Sequence, residues 1–406
     1  MRAPACDSRS TTRGLRGGPF RYFGVFAVLG ALTGGPMDMD AAAPGLPLAE
    51  TFDDAVLRDG VLTTADWSTR ESAVILPRAA RIYGALTAST SASSDVGTIS
   101  DATTSLVLGD MDGDGDLDVV VGNNGQRNLL YLNDGSADPF LSIPPTPISQ
   151  ELNDTEKVVV SDIDSDGDLD VVTANTSGQF SRLYLNNGTV DPFADVDGVD
   201  LPFVGARSTG LAVGDLNGDG HPDLVFGNDF DERNRMLLNN GTSDPFAGVT
   251  SVIVSPAVNS TKAVALADVD NDGDLDLAVA NARALSVVYL NNGSSTPFAG
   301  SPGLPLGATI TDTTDIRFAD VNGDGLVDAL TAEFNRSNQF FLNNGTATPF
   351  GDPGGNLGTE LDSTFEIAAG DIDNDGDLDV VASNDSPQLD RFLQNFGTSG
   401  LFSPPQ

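Results

Sequence analysis

The chain has 406 residues, 39% of them hydrophobic and 7% aromatic, with 45 glycines and 23 prolines, a mixture that suits a core of short strands joined by many turns. Its formal net charge is -39; of 59 acidic residues only 8 are glutamate, and lysine occurs twice, at Lys157 and Lys262. Nucleic acid and anionic membrane surfaces are thereby excluded as partners, because both would be repelled.

The first 43 residues read as an export signal. Arg9, Arg13, Arg16 and Arg21 lead into an apolar run from Tyr22 to Leu32, followed by small residues ending at Ala41-Ala42-Ala43. That run is too short to span a bilayer and has no stop-transfer flank, so cleavage is expected rather than anchoring. The expectation is a secreted or cell-surface protein with no membrane insertion after cleavage. The only cysteine, Cys6, lies in this segment, so the mature chain would have neither disulfides nor thiol chemistry. Residues 44–100 are about one repeat long and carry no acidic loop. Thr51 to Ala92 is a candidate degenerate blade, and Val96 to Ile99 a candidate strand that closes a ring.

Residues 101–406 form the repeat region. A nine-residue acidic loop recurs six times there, at intervals of 52, 53, 53, 52 and 51 residues. So constant a period marks a repeat architecture. Positions 1, 3, 5 and 9 carry side-chain oxygens. They are Asp110, Asp112, Asp114 and Asp118 in the first loop, Asp162, Asp164, Asp166 and Asp170 in the second, and Asp215, Asn217, Asp219 and Asp223 in the third. The fourth has Asp268, Asp270, Asp272 and Asp276, the fifth Asp320, Asn322, Asp324 and Asp328, and the sixth Asp371, Asp373, Asp375 and Asp379. Glycine at position 6 permits a sharp reversal, and position 7 is expected to offer its backbone carbonyl. Asp116, Asp168, His221, Asp274, Leu326 and Asp377 stand there.

Clustered carboxylates repel one another unless a cation sits among them. Oxygen-only ligands select a hard cation, and calcium's tolerance of high coordination number suits this set better than magnesium does. About six calcium ions are expected, one per loop. An EF-hand would need a bidentate glutamate at position 12, but Val121, Thr173, Phe226, Val279, Thr331 and Ala382 occupy it, each inside an expected strand.

The fourth repeat shows the strand pattern. Lys262 to Ala267 alternates into the loop, Leu275 to Ala280 leaves it as a nearly continuous apolar run, and Ser286 to Leu290 follows, closed by Asn291-Asn292-Gly293. Val252 to Val254 ends the previous unit. Four strands per repeat, Asn-Gly turns and no helical period predict an all-β propeller of four-stranded blades. The metal loop falls between the first and second strands of each. Seven blades are favoured, six being the alternative. A Pro-Phe pair recurs at Phe140, Phe193, Phe246, Phe298 and Phe350, and is expected to pack between neighbouring blades. Arg182, Arg235 and Arg391 share one register, four residues before the turn asparagine, which suggests a structural ion pair.

The D-x-D-x-D-G-x-x-D loop between two strands, with the following L-Y-L-N-N-G strand and turn, resembles the FG-GAP/VCBS repeat family of integrin α-subunit propellers and many secreted bacterial proteins. The resemblance covers residues 101–395 and implies calcium-bearing blades that serve adhesion or ligand binding. An extracellular protein or glycan is the implied partner. No nucleophile elbow, HExxH motif or Cys–His pair occurs, and His221, the only histidine, reads as structural. A catalytic set is therefore not identified. The alternatives are an extracellular lyase- or hydrolase-like enzyme on the same scaffold, and a matrix element.

Overall fold

In the computed structural model, the apolar segments that flank every acidic loop pair with each other as antiparallel strands. The structure describes residues 101–402 apart from 137–138, 141–143, 204–206, 352, 386–387 and 398–400. The export segment, Thr51 to Ala92 and Val96 to Ile99 lie outside the described residues.

The first unit is β1 (Thr103–Gly109), β2 (Asp118–Gln126), β3 (Leu129–Tyr131) and β4 (Thr146–Pro147). The second is β5 (Asn153–Ser161), β6 (Asp170–Asn175), β7 (Arg182–Tyr184) and β8 (Val199–Asp200). The third is β9 (Ser208–Gly214), β10 (Asp223–Asn228), β11 (Arg235–Leu237) and β12 (Val252–Ile253). The fourth is β13 (Ser260–Ala267), β14 (Asp276–Ala284), β15 (Val287–Tyr289) and β16 (Leu304–Pro305). The fifth is β17 (Thr311–Ala319), β18 (Asp328–Glu333), β19 (Asn338–Phe341) and β20 (Gly355–Leu357). The sixth, β21 (Thr364–Gly370), β22 (Asp379–Asn384) and β23 (Arg391–Leu393), has three strands among the described residues.

Each unit is an antiparallel meander, and each first strand packs beside the first strand of the next unit. This is the expected β-propeller, with the acidic loop between the first and second strands of every blade. The loop is closed by the same pair each time, as in Gly109↔Asp118 and Ala267↔Asp276. The ninth loop residue is thus also the first residue of the second strand. Those second strands are apolar on both faces because both are covered: β6, β10 and β18 are buried along their whole length.

Two side chains per repeat join the blades. The repeated phenylalanine packs into the seam with the preceding blade: Phe193 clusters with Val107 and Leu130 of the first blade, Phe246 with Val159 and Leu183 of the second. Phe298 and Phe350 do the same in the next two seams. Phe402, after leucine rather than proline, takes the place in the sixth unit, 5.6 Å from the Phe340 ring. The first turn asparagine is the other link. Asn186 Nδ2 donates to the carbonyl of Met111, in the preceding blade's acidic loop, at 2.8 Å, and Asn239, Asn291, Asn343 and Asn395 reach back in the same way to Ile163, Leu216, Val269 and Val321. The second turn asparagine is exposed and local: Asn187 Oδ1 accepts from Thr189, as the turn reading requires.

Replacing Asn239 with alanine leaves the buried carbonyls of Ile163 and Pro222 without their donor. Denaturant unfolding in excess calcium is expected to show a loss of about 1–3 kcal/mol. Asn240→Ala, at the exposed position beside it, is expected to lose clearly less. Equal losses would mean that the asparagine reach-back does not tie the blades.

Candidate metal centres

Backbone conformation shapes each loop before any side chain is considered. The glycine at position 6 has φ between 88° and 104° in all six copies, where a Cβ would be strained. Position 4 is also left-handed and holds Gly113, Gly218 and Gly323, or Ser165, Asn271 and Asn374, types that tolerate this region.

The side chain at position 1 then braces the turn. Asp110 Oδ1 accepts from the Asp114 N–H at 3.1 Å, and its Oδ2 from the Gly115 N–H at 3.0 Å. Asp162, Asp215, Asp268, Asp320 and Asp371 accept the same pair of donors in their loops. Position 5 holds the return: Asp114, Asp166, Asp219, Asp272, Asp324 and Asp375 each accept from the N–H at position 7.

Position 9 is the buried member. Asp118, Asp170, Asp223, Asp276, Asp328 and Asp379 are all 0% exposed. One oxygen accepts from the N–H at position 2, as in Met111 to Asp118 at 2.8 Å. The other accepts from the turn asparagine's N–H, as in Asn133 to Asp118 at 2.8 Å. Those donors favour the ionised form, yet burial prevails. It pushes Asp118 up to about 8, Asp170, Asp223, Asp276 and Asp328 to about 7, and Asp379 to about 6.

In four loops the aspartates at positions 1, 3 and 9 bring carboxylate oxygens within 4.8 Å of one another: Asp110, Asp112 and Asp118; Asp162, Asp164 and Asp170; Asp268, Asp270 and Asp276; Asp371, Asp373 and Asp379. The aspartates at position 5 stand outside these triads. Three of the position 3 oxygens, Asp164 Oδ1, Asp270 Oδ1 and Asp373 Oδ1, are buried and accept no hydrogen bond. An acidic triad with an unsatisfied oxygen turned inward fits a divalent cation, which would supply the missing positive charge.

The third and fifth loops differ. Asn217 and Asn322 accept from the position 5 N–H at 2.9 Å, and each turns its amide nitrogen to the position 5 carboxylate at 3.0 Å. Their sites carry less negative charge.

The side chains at position 7 lie beside the turn glycine of their own blade. A Cβ on Gly135, Gly188, Gly293 or Gly397 would meet Asp116, Asp168, Asp274 or Asp377, and one on Gly241 would lie 2.6 Å from the His221 ring. Leu326 abuts Gly345 likewise. His221 Nδ1 also lies 3.4 Å from Ser165 Oγ of the second loop, so its ring spans two loops. Arg182 pairs with Glu151 and Asp200, and Arg391 with Asp362, as expected; Arg235 instead donates to the Ser251 hydroxyl at 2.9 Å. There the register is kept but the carboxylate is not.

Two features escaped the sequence reading. A hydroxyl residue stands seven positions before every loop, and Thr103, Thr155, Ser208, Thr261 and Thr364 each donate to a buried or half-buried asparagine of the facing strand, as in Ser208 to Asn228 at 2.8 Å. Its constant register was the available signal. The other feature is a cavity ringed by the first strands, whose residues do not repeat.

The sequence profile of the FG-GAP-like repeat matches residues 110–173, 162–226, 215–279, 268–331 and 320–382. No curated protein matches the chain. Among solved structures, an Agrocybe aegerita lectin described as recognising non-reducing terminal N-acetylglucosamine is similar over 73% of this chain and 81% of its own, at 20% identity and TM-score 0.50. A Bacillus licheniformis rhamnogalacturonan lyase is similar over 73% of this chain and 60% of its own, at 14% identity and TM-score 0.42. At these identities the likeness is one of fold.

The buried carboxyls set the pH response of the cation-free protein. Their folded values lie above the ordinary 3.8, so they favour folding while protonated; the contribution is whole below about pH 4 and is lost as pH climbs through 6 to 8. Protein stripped of metal is expected to melt several degrees lower at pH 8 than at pH 5. Added calcium should remove most of that drop. A metal-free melting temperature that rises over this interval would contradict the account.

Proposed function

The chain belongs to the FG-GAP-like repeat family, and from that premise we propose that it is a secreted propeller that binds about six calcium ions and recognises an extracellular protein or glycan. The observation that carries the metal reading is the set of buried, unpartnered oxygens on Asp164, Asp270 and Asp373, each within an aspartate triad. Calcium suits them because the donors are all oxygen and the loops are open turns that accommodate many ligands. Its role is structural. The loop that would hold the ion also supplies the carbonyl to which the next blade's asparagine reaches, so an ordered loop orders the seam.

Recognition is assigned to what varies on this frame. The hairpins between second and third strands change in length and charge, and the one from Asp229 to Arg235 presents Phe230, 62% exposed with Arg207 over its ring at 4.1 Å. Exposed aromatic and arginine groups on a rigid frame are common contact residues. The glycan recognition described for the Agrocybe aegerita lectin, whose fold is alike, supports sugars as one ligand class. Among the described residues no helix is long and apolar enough to cross a membrane.

Calcium-loaded protein screened against a glycan array and extracellular matrix proteins is expected to give at least one saturable ligand. Asp272→Ala is expected to lower the melting temperature and weaken that binding in parallel. Loss of binding with an unaltered melt would mean that the fourth loop touches the ligand itself. An unchanged melt of wild-type protein in excess chelator would sink the calcium reading, since any cation bound only to the folded state must stabilise it.

A further inference from the structure

One register of the first strands changes residue type from blade to blade, and beyond the contact to the next blade's backbone that Ser105 and Asp315 make there, its side chains differ in charge and size. Five positions before each acidic loop the chain has Ser105, Lys157, Gly210, Ala263, Asp315 and Glu366. All but Ser105 line a single cavity of about 440 Å³, which β1 borders through Thr104. Six first strands therefore surround it. Its volume falls within the range of about 300–1,000 Å³ found for small-molecule sites.

The walls are unequal. Gly210 lets the third and fourth blades approach closely, since a Cβ there would lie 3.0 Å from the Val264 nitrogen, whereas the second, fifth and sixth blades present charge at this register. Lys157 Nζ pairs with Glu366 Oε1, joining the second and sixth blades. Arg317 Nη1 lies 3.0 Å from Asp315 Oδ1, and Arg317 Nη2 lies 4.0 Å from Glu366 Oε1. Asp315 is 1% exposed, its Oδ2 accepting from the Ile367 N–H at 3.1 Å. Burial raises its carboxyl above the ordinary range although Arg317 pulls the other way.

Three atoms of this group, Asp315 Oδ1, Arg317 Nη2 and Glu366 Oε2, are buried and make no hydrogen bond. A buried charge network is a poor means of holding blades together, because desolvation offsets its attraction. Ala263 serves at the same register without charge. The network is better explained by what it faces.

The chemistry of the occupant follows from the unmet groups. Lys157, Lys262, Arg317 and Arg283 are matched by Glu366, Asp229, Asp315 and Asp312, and Glu156 is a fifth acid in the lining, so the cavity does not demand an anionic ligand. With Asp315 Oδ1 facing Arg317 Nη1, the acceptor Glu366 Oε2 and the donor Arg317 Nη2 are left over, a pair that adjacent hydroxyls on a ring satisfy. Phe334 and Phe365 line the same cavity, their ring centroids 6.4 Å apart, and offer an apolar surface to the C–H face of a pyranose.

We propose that the central channel binds one neutral sugar unit, with Glu366 accepting from its hydroxyls, Arg317 donating to them and Asp315 holding Arg317 in place. This rests on reading the chain as a recognition module, and it places that module's ligand on the propeller axis rather than on the outer hairpins.

The chain's composition supplies the test. Lys157 and Lys262 are its only lysines, and both line this cavity, so their acetylation, followed by mass spectrometry, reports occupancy there. Calcium-loaded protein is titrated calorimetrically with methyl glycosides of neutral hexoses and N-acetylhexosamines, with a uronic acid glycoside and with glycine betaine. A neutral glycoside is expected to bind and to protect Lys157 from acetylation several-fold. Asp315→Asn and Glu366→Gln should weaken that binding about tenfold or more, and each is expected to lower the calcium-loaded melt as well, because Arg317 or Lys157 loses its carboxylate.

Glycoside binding that leaves both lysines reactive, or that survives both substitutions, would put the ligand elsewhere on the module and overturn the channel assignment alone. Protection by betaine or by the uronic acid in place of the neutral sugars would overturn the sugar class. Absence of binding by every probe would overturn the proposal outright. If a variant fails to fold, lysine protection in the wild-type protein decides.

Discussion

A carboxylate with no exposure to water, accepting two backbone N–H groups at the start of a strand, is the feature on which the rest of this propeller depends. Asp118 and its five counterparts each tie the loop's second residue to the turn asparagine of the same blade. Ionised carboxyl groups are costly to bury, and in four of the six loops they stand beside two further aspartates. The arrangement is stable when something neutralises it, either protons or a divalent cation. That choice sets the pH behaviour of the cation-free protein.

From this point order spreads sideways. The turn asparagine that donates its N–H to Asp170 also sends its amide to the Met111 carbonyl of the neighbouring loop. One ordered loop thus fixes the strand end of its own blade and an anchor for the next. The phenylalanine in each seam adds apolar burial, but it has no directional preference that would set the blade angle. Hydrogen bonds from the asparagines have one. Metal loop, asparagine and phenylalanine together form a joint used five times between the described blades.

Exceptions to the repeat are as informative as the rule. Where five blades place an asparagine to accept from the inner-strand hydroxyl, the fifth has Glu333, 2% exposed and raised by burial, with the Thr313 and Thr331 hydroxyls donating to it. Its backbone neighbour Phe334 lines the central cavity, as do Asp315 and Arg317 of the same blade. Departure from the consensus is concentrated toward the axis, while the seams remain regular. The joints are thus kept constant while the bore varies.

The repeat itself, the strand–loop–strand order and the places of the acidic loops were legible in the residues alone. The period is strict, left-handed positions favour glycine or asparagine, and a strand buried on both faces must be largely apolar. The packing role of the phenylalanines was legible for the same reason, one aromatic at one register. What only the folded ring decided were relations between distant segments. Asn186 and Met111 are 75 residues apart, and Lys157 and Glu366 are 209 apart. Such pairs leave no mark in local pattern, because periodicity reports which way a side chain faces along its own strand and says nothing of which strand stands opposite. The tertiary structure brought five of the six non-repeating inner positions, Lys157, Gly210, Ala263, Asp315 and Glu366, to the wall of one cavity, because the first strands of successive blades stand side by side.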